Sequence, residues 1–122
     1  MHPAVRKAYS RAIDTPEEAA EAGYRAEADL EDGDGIDVGG YRIYRKGNRI
    51  CTDRSLTAGN DRECRMQFET PEMKRGGHVE ILVDSNLIEV FVNDGEYVIS
   101  NAVYGIGNEI VSDRKVKLFT VE

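Results

Sequence analysis

A chain of 122 residues can bury about two-thirds of its unfolded surface as one domain, and 40% apolar with 32% charged residues is the composition of a globular fold rather than a disordered segment. The formal net charge of -7 repels phosphate backbones and anionic headgroups, so neither nucleic acid nor a membrane surface is expected as a partner. No apolar run approaches the roughly 20 residues of a membrane span, and the polar start Met1-His2-Pro3 does not read as a signal peptide.

The first stretch is helical in character. Ala4 to Ile13 is short and basic. Thr15-Pro16-Glu17-Glu18 then has the layout of a capping box, with Thr15 as N-cap, Pro16 at the first helical position and Glu18 three residues after the cap; Gly23 can close the turn. Residues 1–23 therefore read as a linker or helical lead-in, and residues 24–122 as the folded domain.

From Tyr24 the period changes to two. Tyr24, Ala26, Ala28 and Leu30 alternate with Arg25, Glu27, Asp29 and Glu31, which predicts a half-buried strand. Asp32-Gly33-Asp34-Gly35 is a turn, Ile36 to Val38 a short strand stopped by Gly39-Gly40. Tyr41 to Arg45 and Arg49 to Asp53 flank Lys46-Gly47-Asn48 as a hairpin, and Arg42, Arg45, Lys46 and Arg49 read as its solvated side. Cys64, Met66 and Phe68 alternate with Glu63, Arg65 and Gln67 in another strand, followed by a loop from Thr70 to Gly77.

The best-defined part follows: strands His78 to Asp84 and Leu87 to Val92 about a Ser85-Asn86 turn, then Asn93-Asp94-Gly95 with strong hairpin chemistry, then a strand from Glu96 to Val103. Asn108 to Ser112 and Lys115 to Val121 supply the last strands. Short strands at regular spacing, with no long helix, predict an all-β fold: an antiparallel β-sandwich, jelly-roll-like, of two packed sheets with a short helical N-terminal lead-in. Val79, Ile81, Val83, Ile88, Val90 and Val92 are expected between the sheets.

In Leu87 to Val92 both faces are apolar. Ile88, Val90 and Val92 share one; Leu87, Glu89 and Phe91 share the other. One reading has this second face covered in the intact protein, with Glu89 paired there to an arginine; the other leaves a partly exposed strand with a solvated glutamate. A Leu/Phe surface on a central strand is costly to leave wet, which favours the first.

The run His-Val-Glu-Ile-Leu-Val-Asp-Ser-Asn-Leu-Ile-Glu-Val-Phe-Val-Asn-Asp-Gly-Glu-Tyr-Val-Ile-Ser-Asn from His78 to Asn101 resembles the signature stretch of the C-terminal domain of glycoside hydrolase family 32, the invertases, levanases, inulinases and sucrose-6-phosphate hydrolases. Gly40-Tyr41-Arg42-Ile43-Tyr44 and Thr52-Asp53-Arg54-Ser55 resemble the same domain in the same order. The resemblance covers Tyr24 to the C-terminus. It implies a parent enzyme that hydrolyses β-fructosidic bonds with a five-bladed propeller preceding the sandwich.

That propeller, at roughly 40 residues per blade, needs ~200 residues and does not fit in this chain. The family's nucleophile motif Trp-Met-Asn-Asp-Pro and its Arg-Asp-Pro motif are absent from the 122 residues. Glu63-Cys64 matches the family's acid/base Glu-Cys pair, but a dipeptide inside a sandwich segment is read as coincidence. Asp94 and Glu96 sit at a solvated hairpin tip, where no carboxyl gains the desolvation that retaining glycosidase chemistry needs.

The resemblance thus implies a non-catalytic accessory domain, inactive alone, with no catalytic residue, no cofactor and no metal site in this chain. Its expected partners are the catalytic propeller and, through the face of Leu87, Glu89 and Phe91, a homodimer. Cys51 and Cys64 are expected as reduced thiols in a cytoplasmic protein. The alternative is a stand-alone fructan-binding module. Its mark would be a row of exposed aromatics; there is no tryptophan, and Tyr24 and Tyr97 fall on apolar strand faces, while Tyr41 and Tyr44 fall on opposite faces of their strand.

Overall fold

Alternation of apolar residues with period two decides the architecture. The computed structural model describes residues 1–57 and 65–121. After a short helix, α1 (Pro3–Ala8), the chain forms β1 (Arg11–Ile13), a 3₁₀ helix over Pro16–Ala22, then β2 (Tyr24–Asp29), β3 (Gly35–Val38), β4 (Tyr41–Lys46) and β5 (Arg49–Asp53). It continues with β6 (Gln67–Glu69), β7 (His78–Asp84), β8 (Leu87–Val92), β9 (Tyr97–Ala102), β10 (Ile110–Ser112) and β11 (Lys117–Thr120).

The strands form two sheets, one six-stranded in the order β1-β11-β2-β7-β8-β9 and one five-stranded in the order β10-β3-β4-β5-β6. Every neighbouring pair is antiparallel. The β7–β8 ladder sets Val79 opposite Val92, Ile81 opposite Val90 and Val83 opposite Ile88, and all six side chains are buried. Ile36, Val38, Tyr41, Ile43 and Ile50 of the five-stranded sheet belong to the same buried cluster. The expected β-sandwich is the observed one.

The lead-in is tied more closely to the sandwich than its sequence indicates. The helix ends at Ala8, and Arg11–Ile13 add an edge strand to β11 in place of the helix expected up to Ile13. Ile13 and Ala19 are buried in the core. Thr15, Pro16 and Glu18 do start a helix: the Glu18 carboxylate accepts the backbone N–H groups of Thr15 at 2.8 Å and Asp14 at 2.6 Å. Those bonds hold the Glu18 carboxyl below its ordinary range. The helix is 3₁₀ rather than α, as short connectors commonly are.

At the β8–β9 turn, Asn93, Asp94 and Gly95 all take positive φ (51°, 60° and 90°). Asparagine tolerates this conformation, and here its side chain has a second task. Asn93 Oδ1 accepts the Gly77 N–H at 2.9 Å, and its Nδ2 donates to the Arg75 carbonyl at 2.8 Å. The turn therefore fastens the loop that leads into β7.

Arg45 departs from the solvated role expected of the β4–β5 hairpin. Its Nη1 donates to the Leu30 carbonyl at 2.8 Å and the Gly76 carbonyl at 2.6 Å, and its Nε to Gly47 at 2.9 Å. One guanidinium binds three loops because its donors form a rigid fork. Gly77 permits the approach: a Cβ there would lie 2.2 Å from the Leu30 carbonyl oxygen.

Tyr41 is fully buried and its hydroxyl donates to Asn101 Oδ1 at 2.6 Å. Tyr44, on the other face, is half-buried under Arg42, whose guanidinium carbon is 4.9 Å from the ring centre. Cys51 is a buried free thiol; Cys64 and Glu63 lie outside the described residues. Among the described residues, no helix is long and apolar enough to cross a membrane.

Candidate interface on the six-stranded sheet

The inner face of β7 and β8 is filled by the core, so their other positions point away from it. Register then sets what lies beside what. Arg25 on β2 lies across from Leu82, and Leu82 from Glu89, and Glu89 from Ser100 on β9. One row along, Glu27 faces Glu80, Glu80 faces Phe91, and Phe91 faces Val98. The expected triad of Leu87, Glu89 and Phe91 is thus one stripe of this outward face.

The stripe is unevenly covered. Leu87 is 42% exposed, and Val98, which faces Phe91 at the other end of the stripe, is 49% exposed. Phe91 and Glu89 are half-buried, and Glu89 Oε2 accepts the Ser100 hydroxyl at 3.3 Å. Among the described residues Glu89 makes no ion pair.

The carboxylate buried with arginines on this face is Glu80, at 1% exposure. Arg6 of α1 engages both its oxygens, with Nε 3.0 Å from Oε2 and Nη2 against Oε1. From β2, the buried Arg25 places Nη1 3.3 Å from the same Oε2 and 3.0 Å from Glu27. Two guanidinium groups answer one desolvated charge, which is what burying it requires. The Glu80 bond and charge raise the Arg6 pKa above its ordinary value. Arg25 also stacks on Phe119, its guanidinium carbon 4.3 Å from the ring centre.

The same residues fasten α1. Arg6 holds its middle to Glu80, and Arg25 Nη2 donates to the carbonyl of Tyr9 at 3.2 Å, just past its last turn. None of the side chains of α1 is buried, so polar contacts carry this attachment. Sequence reading passed over Glu80 because alternation in His78–Asp84 marks it as one more solvent-facing position. The available signal was an arginine, Arg25, at an outward position two residues from Glu27 on the same strand; the register that brings Glu80 to them is not local.

The face presents the exposed Leu87 and Val98 on either side of the half-buried Glu89, with the Glu80, Arg25 and Arg6 cluster beside them. Asp94 is 81% exposed at the hairpin tip, 3.5 Å from Arg6, and gains no desolvation there. Among the described residues, no group of three or more His, Cys, Asp or Glu is placed to hold a metal ion.

The family model described as the C-terminal domain of glycosyl hydrolases family 32 matches residues 10–121. The chain belongs to this family. Its fold is also that of part of a solved family enzyme, the sucrose-6-phosphate hydrolase from Lactobacillus gasseri, with a TM-score of 0.69 at 15% identity. That likeness covers 98% of this chain and 30% of the Lactobacillus chain, so this family 32 domain spans less than a third of that structure. A search of curated protein sequences finds no match. The family match begins at residue 10, just before β1, in keeping with the pairing of Arg11–Ile13 to the final strand.

Proposed function

We propose that this domain is a non-catalytic accessory module, which packs on the catalytic propeller of a β-fructofuranosidase-type enzyme and stabilises it. The observation that carries the reading is the outward face of the six-stranded sheet, where Leu87 and Val98 stay exposed on a family 32 C-terminal domain. The two flank the Glu89–Ser100 pair, and exposed apolar side chains on either side of a half-buried carboxylate suit an interaction site. Leu87, Glu89 and Phe91 are the contact stripe, and the catalytic domain supplies a cation for Glu89, whose carboxylate is too costly to bury alone. The parent acts on sucrose, sucrose 6-phosphate or a fructan, a choice made in the catalytic domain. A cytoplasmic setting suits the free Cys51 thiol.

Without that catalytic domain the stripe is available to a second copy, and self-association through Leu87 and Phe91 follows at high concentration. Both side chains are already partly covered, so burying the rest of each contributes only part of the roughly 1.5–3 kcal/mol of a fully exposed one.

The experiment mixes the chain with the separately expressed propeller of a family 32 enzyme and follows the propeller's melting temperature and fructose release. The chain alone releases no fructose from sucrose or inulin, and the Glu63→Gln variant behaves identically. The mixture melts higher than the propeller alone, and Phe91→Ser abolishes the increase. Fructose release by the chain alone that Glu63→Gln removes, or stabilisation indifferent to Phe91→Ser, overturns the reading.

A further inference from the structure

Away from the outward face, the two sheets end together on short strands. A hollow of about 710 Å³ opens at this seam, between the segment that follows β1 and the strand β10. Val116 and Leu118 contribute its apolar lining, and Asp14, Glu17 and Glu109 its carboxylates. Among the described residues, no lysine or arginine lines it. Of the cations nearby in sequence, Lys115 and Lys117 line a separate hollow with His78, Arg114 is paired with Asp34 and Glu31, and Arg11 donates to the Val121 carbonyl at 3.4 Å.

The backbone of β10 is open on this side. The bond from Asp113 N–H to the Gly35 carbonyl (3.1 Å), and that from Gly39 N–H to the Glu109 carbonyl (2.8 Å), fix the phase of the β3–β10 ladder. Odd-numbered residues turn their backbone groups to β3, so Ile110 and Ser112 turn theirs away from it. Among the described residues, no backbone bond outside the ladders involves Ile110 or Ser112. An edge with unpaired donors and acceptors is a template for another strand.

We propose that this seam docks an extended, basic polypeptide segment of a partner protein, added as a further strand beside β10. Backbone groups of Ile110 and Ser112 pair with it, an apolar side chain enters the hollow against Val116 and Leu118, and flanking lysines or arginines meet Asp14, Glu17 and Glu109. Charge decides the occupant. A second copy adding its own β10 edge would bring the same three carboxylates against each other in a chain of net charge -7, and like charges across an interface are strongly disfavoured. This site is independent of the proposed packing on a catalytic propeller through Phe91, and it stands or falls separately.

The test is residue-resolved amide exchange on the chain, with the capped pentapeptide Lys-Val-Thr-Val-Lys as probe and Glu-Val-Thr-Val-Glu as its counterpart, each up to millimolar concentration. The basic peptide slows exchange at Ile110 and Ser112 about tenfold or more, and the acidic one does not. Ser112→Pro, which removes one outward N–H at an edge position that tolerates proline, abolishes the protection at Ile110. Should that variant unfold, Glu17→Gln with Glu109→Gln, both on exposed side chains, weakens peptide binding about three- to tenfold. Equal protection by both peptides, protection at β9 instead of β10, or no protection at all overturns the proposal.

Discussion

Glu80 and Phe91 lie directly opposite each other across the β7–β8 ladder, a buried carboxylate beside a half-buried ring on the outward face of the sheet. The pairing makes the clasp under α1 and the apolar stripe parts of one surface, so a change in one alters the other.

Glu80→Gln is expected to destabilise the domain by about 3 kcal/mol, because Arg25 stays buried and retains only Glu27 as its counter-charge. Arg6→Ala should cost only about 1 kcal/mol, since Arg6 is 40% exposed and Glu80 keeps Arg25. Urea unfolding of the two variants measures both. An equal loss in the two would show that α1, rather than Arg25, provides most of the neutralisation.

Arg45→Ala leaves the Leu30, Gly47 and Gly76 carbonyls without their shared donor and is expected to cost about 2 kcal/mol. Arg45→Lys should recover little, because one ammonium cannot reproduce the fork. Thermal unfolding of both variants checks this, and a lysine variant as stable as the native chain counts against the clamp.

Alkaline pH should unfold the domain through its tyrosines. Burial pushes both Tyr24 and Tyr41 up to about 12, whereas an unfolded tyrosine ionises near pH 10. A folded-state pKa above the unfolded one means that the native chain holds its proton more tightly. The resulting stability, of order 2–3 kcal/mol for each ring, is fully present below about pH 10 and is lost as pH rises towards 12. Phenolate absorbance in native and denatured protein, with urea midpoints at the two ends of that window, tests the sign. Two rings that titrate natively near pH 10 would contradict it.

Cys51 should react with a thiol reagent only after denaturation, since it is buried and desolvation raises its pKa. Rapid reaction in the native state, followed by loss of the signal on Cys51→Ser, would mean that β5 opens readily.

Strand positions from His78 to Ala102 were legible because three short apolar runs are separated by Ser85-Asn86 and Asn93-Asp94-Gly95, turn chemistry that permits little else. The six inward residues of β7 and β8 followed from the same alternation. Contacts between segments distant in sequence were not legible. Alternation says that Glu80 and Arg25 point outward, yet only the β2–β7 register brings them together, with Arg6 of α1 and Phe119 of β11 packed against the pair. Arg45 looked solvated for the same reason: its partners at residues 30 and 76 come from other loops. β1 was hidden by its length, since three residues are too few to show a period.

The order of strands also bears on how the molecule comes to exist. β11, the last strand described, lies between β1 and β2, the first two. During synthesis β2 can pair with β7 as soon as residue 84 is available, but its other edge stays open, as does that of β1, until residue 120 has emerged. The six-stranded sheet is therefore completed last at its beginning. Until then a nascent chain displays two unprotected edges, the condition in which newly made β-proteins need shelter from one another.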